Sequence, residues 1–239
     1  MLTRLLFALL LVAGGPALAE TISFQTQDGV TVSAELTSGP TPDAPWIVLF
    51  HMARASRGEY REIAPRLQKM GYATMAVDQR SGDSFGGHDN ETRAAFGENP
   101  GFKDAIPDLK AAVEEARNRG ARRIGVLGSS YSAALVIRLA GEDPSFADAV
   151  MAFSPGEYFK PGDFIRSAAG NVAVPVFITG ARNEEGQWAP IYKALGTDTK
   201  VGFQPKGPGK HGATALLTET GPEYWMALTS FLTDYLPPS

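Results

Sequence analysis

Arg123-Ile124-Gly125-Val126-Leu127-Gly128-Ser129-Ser130-Tyr131-Ser132-Ala133-Ala134 joins two kinds of pattern in twelve residues. Arg123–Leu127 is a short apolar run of the sort that fills a strand covered on both faces. Tyr131–Ala140 opens with small residues and continues with helical spacing. Between them, Gly128-x-Ser130-x-Ser132 predicts a sharp strand-to-helix turn with Ser130 at its tip. Such a turn presses backbone against backbone, so small residues are needed two before and two after the tip. Gly128 meets that need, and Ser132 adds only a hydroxymethyl group. The turn would hold the Ser130 hydroxyl at the end of a sheet, beside a helix N-terminus, where the Tyr131 N–H can meet a developing negative charge. A serine-rich turn that merely caps a helix would look similar over these few residues. The wider sequence has to decide between the two.

Working outward, β-like and helical stretches alternate. Ile22–Thr26 and Thr31–Leu36 read as a hairpin turned by Asp28-Gly29. Trp46–His51 is a continuous apolar run, Glu59–Met70 carries Ile63, Leu67 and Met70 on one helical face, and Ala73–Val77 is a further strand. A helix is expected over Ile106–Arg119 and strands over Ala147–Phe153 and Val174–Thr179. A weaker strand follows at Lys200–Phe203, and a closing helix at Pro222–Tyr235. Strands alternating with helices predict an α/β fold with a mainly parallel central sheet, flanking helices and right-handed crossovers. Gln79–Gly101, with five Gly and little periodicity, is a long irregular loop of the kind that serves function. The segment 154–172 is short, so any cap inserted there is small.

Composition narrows the chemistry. The 239 residues include no Cys, which excludes disulfide scaffolds, cysteine nucleophiles and thiolate metal sites. A 44% hydrophobic and 20% charged chain is globular in character. Its formal charge of −4, without a basic stripe, argues against a nucleic-acid partner. Residues 1–19 read MLTRLLFALLLVAGGPALA: a positive Arg4, an apolar stretch and an Ala17-Leu18-Ala19 cleavage pattern. The apolar stretch is too short to span a ~30 Å bilayer core. The expectation is a cleaved signal peptide over 1–19, one domain over 20–239, a periplasmic or secreted location, and no membrane association after cleavage.

Of three histidines, His51, His88 and His211, only His211 lies C-terminal to Ser130, in Gly209-Lys210-His211-Gly212. A glycine-flanked loop histidine just past the last strand is free to lean over the sheet edge as a general base. His88 reads as solvated. Scattered histidines and no clustered carboxylate motif leave little to hold a metal. Asn90-Glu91-Thr92 fits a glycosylation sequon.

These motifs together resemble the α/β-hydrolases, and in size and lack of a cap the dienelactone-hydrolase-like branch. The carriers are Val48–Met52, Gly71-Tyr72-Ala73 leading to Ala76–Gly82, Gly128–Ser132, Val174–Gly180 and Lys210–Gly212. The resemblance implies a serine nucleophile, Ser130, a base, His211, an oxyanion hole, a covalent acyl-enzyme and no cofactor. It assigns the oxyanion donors to the backbone N–H of Tyr131 and of Met52 or Ala53, with the His51 side chain structural. It also places the acid in the loop after Val174–Thr179, where Asn183 stands in the usual Asp position. Glu184 is the first choice for that role; Asn183, Glu157 and Glu185 are the alternatives. Dienelactone hydrolases proper use a cysteine, which this chain lacks. The implied activity is cleavage of small-molecule esters or other acyl compounds. Peptidase or acyltransferase chemistry could run on the same residues, and an inactive binding protein is the reading that Asn183 favours.

Overall fold

The structure is a computed structural model that describes residues 19–98 and 100–238. Apart from Ala19, the expected signal segment 1–19 lies outside the described residues. Eight strands form one sheet: β1 (Glu20–Gln25), β2 (Thr31–Thr37), β3 (Trp46–Phe50), β4 (Ala73–Val77), β5 (Ile124–Ser129), β6 (Ala149–Phe153), β7 (Val176–Thr179) and β8 (Lys200–Phe203). Their spatial order is β1-β2-β4-β3-β5-β6-β7-β8. β1 and β2 pair antiparallel, as does β2 with β4; every other neighbouring pair is parallel. The helices are α1 (Ile63–Lys69), α2 (Glu91–Phe96), α3 (Ile106–Asn118), α4 (Tyr131–Glu142), α5 (Arg166–Ala169), α6 (Glu185–Ala194) and α7 (Gly221–Tyr235). None of them is long and apolar enough to cross a membrane.

Alternation along the central strands builds two cores. Val48 and Phe50 of β3, Val126 of β5 and Val150 of β6 pack with Leu109 and Val113 of α3 and Leu135 of α4. Ile47 and Leu49, Leu127 and Met151 point the other way, onto Ile63 and Leu67 of α1 and Leu228 and Phe231 of α7. Both faces are therefore covered, which is why these strands read as unbroken apolar runs rather than alternating ones. From β4 through β3, β5, β6 and β7 to β8 every pairing is parallel, so the C-terminal ends of these strands share one edge of the sheet. The loops that carry Met52, Gln79, Ser130, Ser154 and Arg182–Glu184 leave from that edge, where open α/β sheets bind ligands.

Three local expectations are corrected. The helix expected from Glu59 starts at Ile63, because Ser56 first caps a 3-10 turn over Arg57–Tyr60 that buries all four residues. Between the strands expected at Val174–Thr179 and Lys200–Phe203, where no helix is expected, α6 forms: Gly186 and Pro190 are poor helix formers, and burial of Trp188 and Ile191 overrides that preference. The long loop contains α2, whose N-cap is Asn90 accepting from the Arg93 N–H at 2.8 Å. The sequon asparagine is thus buried in the folded chain, its amide nitrogen donating to Gln79 O at 2.8 Å.

Candidate active site

Ser130 sits between β5 and α4 with φ 59° and ψ −119°, a backbone state that costs an L-residue roughly 1–3 kcal/mol and persists only where surroundings enforce it. Two neighbours enforce it here. The Ser130 N–H donates to Phe153 O of β6 at 2.8 Å. Gly128 lies so close to α4 that a Cβ there would stand 2.5 Å from Ala133 N. Ser132, occupying the second small position, adds something glycine could not. Its hydroxyl donates to His51 O at 2.6 Å and accepts from Gln79 Nε2 at 2.6 Å, tying the helix start to the ends of β3 and β4.

The Ser130 hydroxyl meets His211 Nε2 at 2.7 Å, and His211 Nδ1 meets Glu184 Oε1 at 2.5 Å. Glu184 Oε2 accepts from Ser154 Oγ at 2.6 Å and from the Ala181 N–H at 2.9 Å. Burial works against the Glu184 charge, but the bonds from His211, Ser154 and Ala181 outweigh it and hold the carboxyl below its usual range. That same bond to Glu184 raises His211, against partial burial that would lower it. The side chain of His211 stays 42% exposed, in reach of water and of a substrate, while that of Glu184 is 11% exposed. A hydroxyl, imidazole and carboxylate joined in this order can pass the hydroxyl proton to the imidazole and stabilise the imidazolium that results.

The other acid candidates are placed elsewhere. Asn183 and Glu185 are exposed on either side of Glu184, because the 3-10 turn Arg182–Glu184 swings only Glu184 inward. Glu157 accepts from the N–H groups of Ile165 and Arg166 at 2.9 Å each, at the start of α5. Ser154 was invisible to sequence reasoning. It sits just beyond β6 with φ 57°, donates to Glu184 and accepts the Gly212 N–H at 2.9 Å, so one hydroxyl holds both Glu184 and the loop that carries His211. The only local signal is a serine ending an apolar strand, which is too common to single out. Tyr158 donates to Ser154 O at 2.7 Å. Burial, and after it the nearby Glu184 charge, pushes its phenol up to about 12.

On the oxyanion side, Tyr131 opens α4 directly after Ser130. The Met52 N–H departs from expectation: it donates to Glu59 Oε2 at 2.7 Å instead of facing Ser130. His51 is fully buried, and burial lowers it to about 4, so it is neutral. Its Nε2 accepts from the Gln79 N–H at 3.0 Å, leaving Nδ1–H to donate to Met52 O at 2.8 Å. The ring holds the loop ends of β3 and β4 together. His88 contributes a two-residue backbone bridge with Phe85 in the irregular loop. Among the described residues, no group of three or more His, Asp or Glu is placed to hold a metal ion.

The family model described as serine aminopeptidase, S33 matches residues 42–184, more than half of the chain. No curated protein sequence matches it. Among solved structures, an esterase of Pyrococcus furiosus superposes with a TM-score of 0.74 at 19% identity, over 92% of this chain and 93% of that one. A dienelactone hydrolase of Anabaena variabilis gives 0.70 at 16%, over 92% and 99%. The acylaminoacyl peptidase of Pyrococcus horikoshii gives 0.71 at 15%, over 93% of this chain but 42% of the longer one. At these identities the likeness is one of fold.

Proposed function

From the premise that this chain belongs to the serine aminopeptidase S33 family of serine-type α/β-hydrolases, we propose that it is an exported carboxylic ester hydrolase using Ser130, His211 and Glu184. The observation that carries this reading is the unbroken line of hydrogen bonds from Ser130 Oγ through His211 to Glu184, at 2.7 and 2.5 Å. Ser130 Oγ attacks the acyl carbon while its proton passes to His211 Nε2. The N–H of Tyr131 and the N–H of Ala53, next to the engaged Met52, bind the oxyanion. Collapse of the tetrahedral intermediate expels the alcohol, which takes the proton from His211. Water, deprotonated by the same imidazole, then releases the acid and restores Ser130. Glu184 keeps Nδ1 protonated and stabilises the imidazolium. No step calls for a cofactor.

Small or extended acyl substrates fit best. The segment after β6 is short, and beside the oxyanion loop lies a cavity of about 460 Å³ lined by Arg54, Ser81, Arg93 and Phe102, among others. The Phe102 ring stacks on that of Tyr131 at 4.7 Å, so this cavity borders the residue that follows the nucleophile. Export rests on the sequence pattern of residues 1–19.

The test is a fluorophosphonate probe on residues 20–239, read by intact mass, followed by parallel panels of nitrophenyl esters and aminoacyl anilides. One adduct on Ser130, absent from Ser130→Ala and His211→Ala, with turnover of the esters, is the expected result. Turnover of the anilides alone would make the protein a peptidase. No adduct on folded protein would end the serine-hydrolase reading.

A further inference from the structure

Beneath the site lies a second carboxylate that the proposed mechanism does not use. Glu59, in the 3-10 turn before α1, is 1% exposed. Among the described residues no Lys, Arg or His lies within ion-pairing distance of it. A carboxylate removed from water without a cation is costly, and it is tolerated only where its oxygens are hydrogen-bonded. The partners are informative. Oε2 accepts the Met52 N–H at 2.7 Å, in the loop after β3. Oε1 accepts the hydroxyl of Ser129, the residue before Ser130, at 2.7 Å. Ser129 Oγ in turn accepts the Ala213 N–H at 2.9 Å, two residues past His211.

The same three segments converge at Gly212. Its φ is +74°, and a Cβ there would stand 2.5 Å from Ser129 Oγ, 3.5 Å from Met52 Sδ and 3.6 Å from Glu59 Oε1. The loop behind the imidazole therefore rests directly on this carboxylate and its partners. We propose that Glu59 is a positioning residue of the active site, clamping the oxyanion loop, the backbone before the nucleophile and the Gly212–Ala213 turn into one rigid unit. This rests on the reading of Ser130 as nucleophile and His211 as base.

The charge has a reach as well. His211, Tyr60 and Tyr131 are the titratable groups that feel Glu59. Burial holds both tyrosines far above neutrality, so His211 is the group whose protonation reports on Glu59. Burial also pushes Glu59 itself up to about 7, with Met52 and Ser129 pulling the other way. Labelling rates are therefore best compared above neutral pH, where the carboxylate is ionised.

The experiment compares wild type, Glu59→Gln and Ser129→Ala by fluorophosphonate labelling rate, melting temperature and NMR titration of the His211 ring. Glu59→Gln keeps the size and loses the charge and one acceptor. The expected result is labelling slowed on the order of 10- to 100-fold, the range set by small misplacements of reacting groups. Its melting temperature should change little, and His211 should titrate lower than in wild type. Ser129→Ala, which cuts the link to Ala213 and leaves the charge, should slow labelling with a smaller change in His211. Wild-type labelling rate and wild-type His211 titration in Glu59→Gln would overturn the clamp. Should Glu59→Gln not fold, an unchanged rate in Ser129→Ala overturns it. Should the wild type itself not label, the hydrolase reading fails separately. The NMR comparison then decides: His211, Gly212 and Ala213 signals unmoved in Glu59→Gln would sink the proposal, and shifted ones would support it.

Discussion

On the β4 side of Ser130 the loops are stapled by buried ion pairs, whereas on the β7 side they hang on hydroxyls and one imidazole. Arg57 meets Asp78 at 2.5 Å, with side chains 7% and 0% exposed, and Arg80 meets Asp108 at 2.7 Å, at 4% and 0%. Arg80 also reaches Asp28 in the turn between β1 and β2. Each of these guanidinium groups is matched by carboxylates on separate segments, so the long loop 79–101 is anchored where it leaves the sheet. Across Ser130, Ser154 bridges Glu184 and Gly212, and the chain of bonds ends at a half-exposed His211. A site needs both kinds of construction. The frame is made of charges paired with one another inside the fold, and the chemistry of a group that is left able to gain and lose a proton.

That contrast can be broken from either side. Ser130→Ala or His211→Ala should cost on the order of 10⁴-fold or more in ester turnover, about 5 kcal/mol of transition-state stabilisation, with the melting temperature held. Glu184→Gln should slow labelling by roughly 10³- to 10⁴-fold, since an amide orients imidazole but cannot balance imidazolium; a rate within threefold of wild type would move the acid elsewhere. On the frame side, Arg80→Ala strands the buried Asp108 and should remove about 3–5 kcal/mol of stability in urea unfolding. The rate per folded molecule should stay near wild type, and a large loss of that rate would make the two sides one. Ser154→Ala should be milder, roughly ten- to thirtyfold in rate, through loss of one buried hydrogen bond to a charge, about 1.5–2 kcal/mol. The smallest effect is in pH. His211 must be neutral to act as base and its pKa is raised by Glu184, so kcat/KM should fall as pH drops through a value above that of an ordinary histidine. In Glu184→Gln this acid limb should move to lower pH.

Much of the fold and the principal site candidates were legible because they are local. A buried strand, a cramped turn and a helix leave their marks within a dozen residues, as Arg123–Ala134 does. Helix α6 escaped because Gly186 and Pro190 speak against it, and only packing of Trp188 and Ile191 speaks for it. Ser154 and Glu59 escaped for a different reason. Their roles depend on partners 30 to 70 positions away, as in the bonds of Ser154 to Glu184 and of Ser129 to Glu59. The misplaced oxyanion donor is a nearer case: Met52 and Glu59 are seven positions apart, and it is the 3-10 turn over Arg57–Tyr60 that brings the carboxylate back to the Met52 N–H.

By itself, then, the sequence determined an α/β sheet with both faces buried, a serine forced onto a strained turn, and His211 as the one histidine downstream of it. Tertiary structure alone decided that Glu184 rather than Asn183 or Glu157 meets the imidazole, that Asn90 is buried as a helix cap, and that Met52 points its N–H at a buried carboxylate. Local backbone preference is written in neighbouring residues. The burial of a charge, and the choice of its partner, are set by where distant segments meet.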